Sequence, residues 1–376
     1  MENIAQGLYN APDMGAPARK SSSVKEKLRR CLTDITNLAN HPACKDKDSG
    51  LSVDLDLVQK FISDVISPDK SQFSISTIKH NKHNIFKQLK QYYDDQQYPE
   101  DKESILYDVD KYDYDIPVMV APYAKQVYTF NKIRELDYYK FRDYMKIQNG
   151  IDEEMRSALV DWLVAVHDSF RLIPETLHLS IYLVDKFLSM FLIPTKYLQL
   201  VGIGSMFIAS KYQEVNPPEC DDFVYVCSNT YTRECIIKIE KNILESVQYD
   251  LGVPSAIHFL RRYSKIIGNN HYLHTLAKYY IELGICIYDT ALWPPSALAA
   301  ASLYLGRKAT KKKRAWSSHL TYHSTINHQS VHKLASELLA CLHSHSPFKF
   351  RHVLRKYNSE SNYKVAMVEL PRTIQI

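Results

Sequence analysis

The sequence has little glycine and no regular cysteine pattern. Only 10 of its 376 residues are glycine, and its 7 cysteines include no Cys-x-x-Cys pair. Scarce glycine argues against glycine-rich phosphate loops and against many tight β-turns, since both need residues that accept positive φ angles. An odd number of irregularly spaced cysteines fits a reduced intracellular protein better than a disulfide framework.

The sequence also lacks a strong charge imbalance and a long hydrophobic run. Its 47 basic and 42 acidic residues leave a net charge of +5, which argues against nucleic acid bound along the whole surface. The longest apolar run near the centre is interrupted by Asp185 and Lys186, so no uncharged stretch is long enough to span a membrane. The N-terminus shows no secretory signal. We expect a soluble protein of the cytoplasm and nucleus, with no nucleic-acid or membrane partner.

Motifs for catalysis and cofactor binding are missing as well. There is no GxxxxGK[ST] and no HExxH, and the Gly202–Gly204 pair lacks a preceding strand and a third glycine. The histidine pairs His271/His274 and His343/His345 have no cysteine or acidic partner at zinc-binding spacing. We therefore expect no enzyme, no cofactor and no metal site.

The N-terminal third of the chain is polar. Residues 1–120 are rich in Lys, Asp, Ser, Gln and Asn, and such a composition buries too little apolar area to offset the entropy of ordering. This predicts a largely disordered tail. Residues 51–66 are an exception, because their apolar side chains repeat at helical spacing. This segment is either a docking helix or a nascent helix in the tail.

After the tail, apolar residues recur with helical period. A stripe of the i, i+3, i+4, i+7 type runs through 155–170. Pro174 opens the next helix, since proline suits the first helical position. Thr195 and Thr232 are predicted N-caps of two more helices. The pattern restarts at Pro254, which opens another helix, and a further helix is expected at 271–289.

Two predicted helices, at 196–212 and 294–308, are apolar or small on every side. A helix of this kind is buried all round, and small residues let its neighbours approach closely. Each is therefore expected at the centre of a helical bundle. Their centres lie about 100 residues apart, which suggests a duplicated domain. The sequence thus predicts an all-α protein.

Four segments in order resemble the cyclin box: YMKIQNGIDEEMRSALVDWLVAVH, ETLHLSIYLVDKFLS, KYLQLVGIGSMFIASKYQEVNPPE and FVYVCSNTYTRECIIKIEKNILESVQYDLGVPSAIHFLRR. HFLRRYSKI followed by HTLAKYYIEL is similar to B-type cyclins in particular. The resemblance implies two tandem five-helix cyclin-box domains with an N-terminal helix. We place the tail at 1–120, the first box with its preceding helix at 121–253, and the second box with its own tail at 254–376.

The resemblance also implies a function. Such a chain is a regulatory subunit that binds and activates a mitotic cyclin-dependent kinase of the PSTAIRE type at G2/M. A groove on the first box holds the kinase helix whose Glu must pair with the ATP-positioning Lys. The subunit contributes no chemical group, only a higher affinity for the active kinase conformation.

The kinase contacts follow from the same resemblance. Lys211 and Glu240 are expected to hydrogen-bond to the kinase main chain, although a lysine at a helix C-terminus is favoured by the helix dipole in any case. Tyr212, Tyr249 and Leu251 are expected to make apolar contacts with the kinase, with core packing as an equal alternative.

Two charges lie within otherwise apolar helix faces, Arg156 and Asp185. Buried charges need partners, and a guanidinium can meet a carboxylate with two hydrogen bonds. We predict that these residues pair and organise the first box, as the resemblance also implies. Asp161 is expected to be a surface or capping acid.

Two substrate sites are implied by the resemblance. The first is a docking patch for RxL motifs, with a plain core stripe as the alternative; Ala158 and Ala165 depart from the family pattern there, so we expect weak docking. The second is a basic cluster for phosphorylated segments, with solvated surface charges as the alternative. The patch comprises Met155, Leu159, Trp162, Leu198 and Gln199, and the cluster comprises Arg261, His274 and Lys278.

The tail carries a sequence similar to a destruction box, R-x-x-L-x-x-x-x-N, formed by Arg29, Leu32 and Asn37. It implies recognition by the anaphase-promoting ubiquitin ligase. Ser67 lies in an S-P-x-K arrangement, a candidate phosphorylation site of the complex itself or a simple Ser-Pro turn. The basic run at 311–314 is a nuclear-import patch or a solvated loop.

Two other functions compete with the cyclin hypothesis. A DNA-binding transcription factor of the same fold would need a basic face, which the near-balanced charge does not favour. A helical-repeat scaffold would show three or more repeats of shorter period.

Overall fold

The computed structural model describes residues 108–374 except 142, 313 and 346–348. Within this part of the chain all regular elements are helices and there is no strand, so the predicted all-α fold is confirmed. The predicted destruction box, the 51–66 segment and Ser67 lie outside the described residues.

The first unit follows an N-terminal helix and contains five helices. Asp152 begins its first helix by accepting a hydrogen bond from the Met155 amide, and Thr232 begins its last by accepting from the Cys235 amide, as N-caps do. The helices are α1 (Ala124–Tyr138), which precedes the unit, then α2 (Glu153–Phe170), α3 (Pro174–Met190), α4 (Leu198–Gln213), α5 (Cys220–Val226) and α6 (Arg233–Ser246).

Helix α4 lies at the centre of this unit and packs against α2, α3, α5 and α6. Its glycines make this possible. A Cβ atom at Gly202 would lie 2.8 Å from Leu159 Cδ1, and one at Gly204 would lie 2.6 Å from Ile239 Cγ2. Real Cβ atoms do not come so close, so α2 and α6 approach α4 only because glycine stands at these two positions.

The second unit is built in the same way around another central helix. Helix α10 packs against α7, α8 and α12, and its alanines Ala299, Ala300 and Ala301 are fully buried. The helices are α7 (Ala256–Ile266), α8 (His271–Cys286), α9 (Tyr288–Ala291), α10 (Pro295–Ala309), α11 (Ser318–Ser324), α12 (His328–Ser344) and α13 (Arg351–Tyr357).

Two predicted helix limits were wrong. Thr195 is not the N-cap of α4, because a 3-10 turn at Thr195–Tyr197 precedes the helix and the Thr195 hydroxyl donates to the Gly150 carbonyl. The helix expected to run from 271 to 289 ends at Cys286, and a short second helix begins at Tyr288. Side chains of the first unit donate hydrogen bonds to the backbone carbonyls at this break. These bonds favour the end of the helix at this point.

The N-terminal segment packs on the second unit. The carboxylate of Asp110 accepts from Arg262 Nη1 at 2.6 Å and from Lys265 Nζ at 2.5 Å, both on α7. In α1, Glu135 accepts from the Ser296 amide at 2.9 Å and so caps the start of α10. The domain limits at 120/121 and 253/254 stay predictions.

No helix among the described residues has both the length and the hydropathy that a bilayer crossing requires.

Candidate functional site: a helix-docking surface and a basic cluster

Lys211 and Glu240 meet on the surface of the first unit. Lys211 lies in the last turn of α4 and Glu240 on α6, and the ammonium group is bonded to the carboxylate. Lys211 Nζ is also 4.0 Å from the centroid of the Phe207 ring. The side chains are 40% and 14% exposed. A hydrogen-bond donor and an acceptor therefore stand side by side at an accessible position.

Exposed tyrosines lie at the ends of the two helices that carry this pair, Tyr212 in the last turn of α4 and Tyr249 in the turn after α6. Tyr212 is 53% exposed and Tyr249 is 64% exposed, so core packing does not describe them. Leu251 is half-buried and packs against the core. Gln248 and Tyr249 both have positive φ, 54° and 59°, a conformation that costs non-glycine residues energy and that proteins keep at functional sites. The turn after α6 thus presents Tyr249 to solvent.

A second apolar surface begins at Tyr123, the residue before α1, and continues along α1; its exposure was not predicted from the sequence. Tyr123, Val127 and Phe130 are spaced i, i+4, i+7 and are 62%, 52% and 41% exposed. They share one face, because this spacing follows the helical period. The sequence did contain a sign of this surface, because α1 and the residue before it hold more apolar side chains than one buried face accommodates. We call Tyr123, Val127 and Phe130 the α1 stripe.

The α1 stripe leads to the loop that carries Tyr249. The Arg134 guanidinium lies 5.7 Å from the Phe130 ring centroid. Its Nη2 donates to both carboxylate oxygens of Asp250 at 3.1 Å. This ion pair joins α1 to the turn after α6.

Arg156 and Asp185 are paired inside the first unit. Arg156 Nε is 2.7 Å from Asp185 Oδ1 and Nη2 is 2.7 Å from Oδ2. Arg156 is 0% exposed and Asp185 is 3% exposed. The hydroxyl of Tyr144 donates to Asp185 Oδ1 at 2.6 Å, so the carboxylate is well supplied with donors.

The same arginine reaches the second unit. Arg156 Nη1 donates to the carbonyls of Ile285 at 3.0 Å and Cys286 at 3.3 Å, and the Ser157 hydroxyl donates to the Cys286 carbonyl at 2.8 Å. A cation at the C-terminal carbonyls of α8 is favoured by the helix dipole. The pair therefore holds α3 in place and also fixes one unit against the other.

Comparison with known proteins identifies these two units. Residues 126–252 match the model of the cyclin N-terminal domain, and residues 254–371 match that of the cyclin C-terminal domain. A G2/mitotic-specific cyclin-B of Marthasterias glacialis is 38% identical over 69% of this chain and 67% of its own length. One of Hydra vulgaris is 37% identical over 69% of this chain and 72% of its own. The chain belongs to the B-type cyclins.

Further relatives agree with this assignment. Cyclin-B1-3 of Arabidopsis thaliana is 37% identical over 71% of this chain and 64% of its own length, so the cyclin spans a little under two thirds of that relative. The crystal structure of a viral cyclin from herpesvirus saimiri superposes with a TM-score of 0.50 and 25% identity, covering 56% of this chain and 97% of that one. The cyclin family consists of regulatory, non-catalytic kinase subunits.

The residues expected to form the docking patch are divided between core and surface in this cyclin. Leu159, Trp162 and Leu198 are 6%, 1% and 6% exposed, which is the core-stripe arrangement. Met155 and Gln199 are half-buried. Leu159 is drawn inward because Gly202 lets α4 approach it. Little apolar surface remains at this position for a peptide.

The basic cluster lies where the two boxes meet. Arg261 on α7 is bonded to the Glu175 carboxylate on α3. His274 on α8 pairs with the Ser264 hydroxyl through Nδ1 at 2.8 Å. The pKa of His274 is lowered to about 4, mainly by burial and to a lesser extent by the neighbouring charges of Lys278 and Arg261. Burial also lowers the pKa of Lys278, against the opposing effect of Glu282.

Two members of the cluster share a helix face. His274 and Lys278 lie four residues apart on α8, and both are half-buried. The charge of Arg261 contributes to lowering the pKa of each, so these residues differ from freely solvated surface charges. Within the described range, no group of three or more His, Cys, Asp or Glu side chains is arranged to hold a metal ion.

Of the basic run at 311–314, Lys311, Lys312 and Arg314 are exposed and follow the end of α10 at Ala309.

Proposed function

We propose that this cyclin binds and activates a mitotic cyclin-dependent kinase of the PSTAIRE type at G2/M. The observation that carries the proposal is the accessible Lys211–Glu240 pair, with Tyr212 and Tyr249 exposed at the ends of the same two helices. Lysine can donate to main-chain carbonyls and glutamate can accept from main-chain amides, so the pair suits the exposed backbone at a helix end. Exposed tyrosines supply apolar anchors beside these polar contacts.

The cyclin acts through differential affinity. It offers a rigid surface, since α4 is buried on all sides but its C-terminal end. A kinase helix fits this surface only in the position in which its glutamate pairs with the ATP-positioning lysine. Binding shifts the kinase toward this conformation by the difference in affinity between the two states.

The test is reconstitution with a purified PSTAIRE-type kinase and measurement of histone phosphorylation. Wild-type cyclin should stimulate the kinase strongly. Lys211→Ala with Glu240→Ala should reduce the stimulation at fixed cyclin concentration by about tenfold or more, as expected for the loss of central interface contacts.

The control is a second ion pair on the same helix. Lys241 and Glu245 of α6 are 71% and 42% exposed, and their replacement by alanine should leave stimulation unchanged. Failure of the wild-type cyclin to stimulate any PSTAIRE-type kinase would end the proposal.

We further propose that the cyclin helps to select substrates through the Arg261 cluster. Arg261 is bonded to Glu175 across the junction of the boxes, and Lys278 shares a face of α8 with His274, which is neutral near pH 7. Two cations and an imidazole suit the oxygens of a phosphorylated segment. Docking of RxL motifs is a weaker contribution, because Trp162 and Leu159 are buried.

Degradation through the tail completes the proposal. Arg29, Leu32 and Asn37 would be read by the anaphase-promoting ubiquitin ligase, and the cyclin would act in the cytoplasm and nucleus. Arg29→Ala with Leu32→Ala should lengthen the lifetime of the protein at mitotic exit. An unchanged half-life would remove this part.

A further inference from the structure

Glu175 occupies an unusual position between the boxes. It lies in the first turn of α3, and its Oε1 accepts from Nη1 of Arg261 on α7. Its Oε2 is buried and has no hydrogen-bond partner among the described residues. The side chain is only 9% exposed. A buried carboxylate ordinarily accepts hydrogen bonds at both oxygens. The Glu175 carboxylate is bonded to another side chain through one oxygen only.

Arg261 remains open to solvent on its other side. Its side chain is 51% exposed. An incoming phosphate would therefore reach Arg261 from solvent and meet the Glu175 carboxylate already there. A guanidinium has donors for two anions, but two anions held on one guanidinium repel each other, and this repulsion favours departure of the Glu175 carboxylate.

A neighbouring cavity offers the carboxylate another position. It is a small pocket, partly open to solvent, and its lining includes Glu175, His178, Gln213, Ser255 and His258. His178 is 7% exposed, and its Nε2 is buried without a partner among the described residues. His178 is three residues after Glu175, so both side chains lie on the same face of α3. A neutral imidazole carries one N–H, which could meet the displaced carboxylate.

We propose that Glu175 is an internal counter-ion that closes the Arg261 cluster until a phosphorylated segment displaces it. This rests on the proposed function of the cluster as a phosphate site. A phosphate carries nearly two charges and three strong acceptor oxygens, so it gains more from the cluster than Glu175 loses. An acidic segment, by contrast, only exchanges the Glu175 carboxylate on Arg261 for a carboxylate of its own, so it gains no such advantage. Glu175 thus sets a threshold that phosphorylated segments pass and merely acidic segments do not.

The experiment measures binding of three labelled peptides to the full chain by fluorescence polarisation at constant ionic strength. The peptides are identical except for phosphoserine, glutamate or serine at one position. Glu175→Gln keeps the size of the side chain and removes its charge. Glu175→Asp keeps the charge and withdraws it from Arg261 by one methylene. Glu153→Gln is the control, because Glu153 is likewise a first-turn glutamate, on α2, but is exposed.

The expected result is tighter binding of the phosphoserine peptide by both Glu175 variants, roughly three- to tenfold, since an ion pair with one half-exposed partner is worth at most about one tenfold step. The glutamate peptide should gain by a similar factor, because the same counter-ion is displaced in both cases. Glu153→Gln should change neither affinity. Arg261→Ala should abolish binding in every background.

Other outcomes separate the two proposals. If the phosphoserine peptide binds wild type through Arg261 but Glu175→Gln and Glu175→Asp bind no tighter, the cluster stands and the counter-ion role is wrong. If Glu153→Gln tightens binding as much as Glu175→Gln does, the effect is general charge repulsion and the counter-ion role is again wrong. If no variant binds the phosphoserine peptide, the phosphate site itself is wrong.

Discussion

Asp161 of the first box caps a helix of the second. Its carboxylate accepts from the amide of His352 at 3.1 and 3.2 Å and from the amide of Val353 at 3.1 Å. These amides begin α13, where an anion is favoured by both the unpaired N–H groups and the helix dipole. Arg156 of the same helix lies at the C-terminal carbonyls of α8. Helix α2 therefore places an anion at the N-terminus of one helix and a cation at the C-terminus of another.

Asp161→Ala should lower the free energy of unfolding by about 2 kcal/mol, the upper range for a lost N-cap, because Asp161 is buried. Urea unfolding followed by circular dichroism measures the change. Asp168→Asn, on the exposed side of the same helix, is the control and should change the unfolding free energy by less than about 0.5 kcal/mol. Equal midpoints for Asp161→Ala and wild type would contradict the capping role.

The Arg156–Asp185 pair makes a second prediction about stability. Asp185→Leu or Arg156→Met leaves a buried charge without its partner, which should cost about 3–5 kcal/mol. The double variant, Arg156→Met with Asp185→Leu, should cost clearly less than the sum of the single changes, because neither charge then remains. Urea unfolding of the three variants measures this coupling. Strictly additive losses would show that the two residues act independently.

Several parts of this structure could be predicted from the sequence because they depend on local pattern. The stripe at 155–170 gives α2, Pro174 begins α3, and Thr232 caps α6. The small residues of α4 and α10 identify the two central helices. A buried arginine and a buried aspartate in apolar faces need each other whatever the rest of the chain does. Periodicity and charge were sufficient for these features.

Other parts depend on partners far along the chain. The amide that Asp161 caps lies 191 residues away, and the Cys286 carbonyl bound by Ser157 lies 129 residues away. No local pattern in α2 announces either contact. Trp162 was expected at a docking patch but is 1% exposed, since burial depends on how closely α4 approaches. Long-range packing decided these cases.

The α1 stripe gives a prediction about the partner. Tyr123→Ser with Phe130→Ser should weaken kinase binding by about tenfold or more, because exposed aromatic residues next to the Tyr249 loop act as interface anchors. Isothermal titration calorimetry with the purified kinase measures the affinity.

The control for this change is on the same helix. Leu136 is 58% exposed and lies on a different face of α1, because six residues from Phe130 is not a whole number of turns. Leu136→Ser should leave the kinase affinity unchanged. If it weakens binding as much as the double change, the α1 stripe is not the contact surface.

Two buried histidines predict a dependence of stability on pH. Burial, then the charge of Lys356, lowers the pKa of His167 to about 3, with Glu282 opposing. Burial lowers the pKa of His178 to about 4, with Glu282 and Glu175 opposing. Both rings are therefore neutral in the folded cyclin at pH 5 to 7, whereas in the unfolded chain they take up protons near pH 6.5, about the ordinary histidine value.

The sign follows from proton uptake. Between about pH 6.5 and pH 4 the unfolded state binds more protons than the folded state, so the free energy of unfolding falls as the pH falls. Each histidine should contribute about 1 kcal/mol of loss between pH 7 and pH 5.5. Urea unfolding across this range measures the slope. His167→Gln should reduce the slope by about one histidine's share, while His271→Gln, at an exposed position at the start of α8, should leave it as in wild type. A His167→Gln slope equal to the wild-type slope would mean that His167 is not buried as a neutral ring.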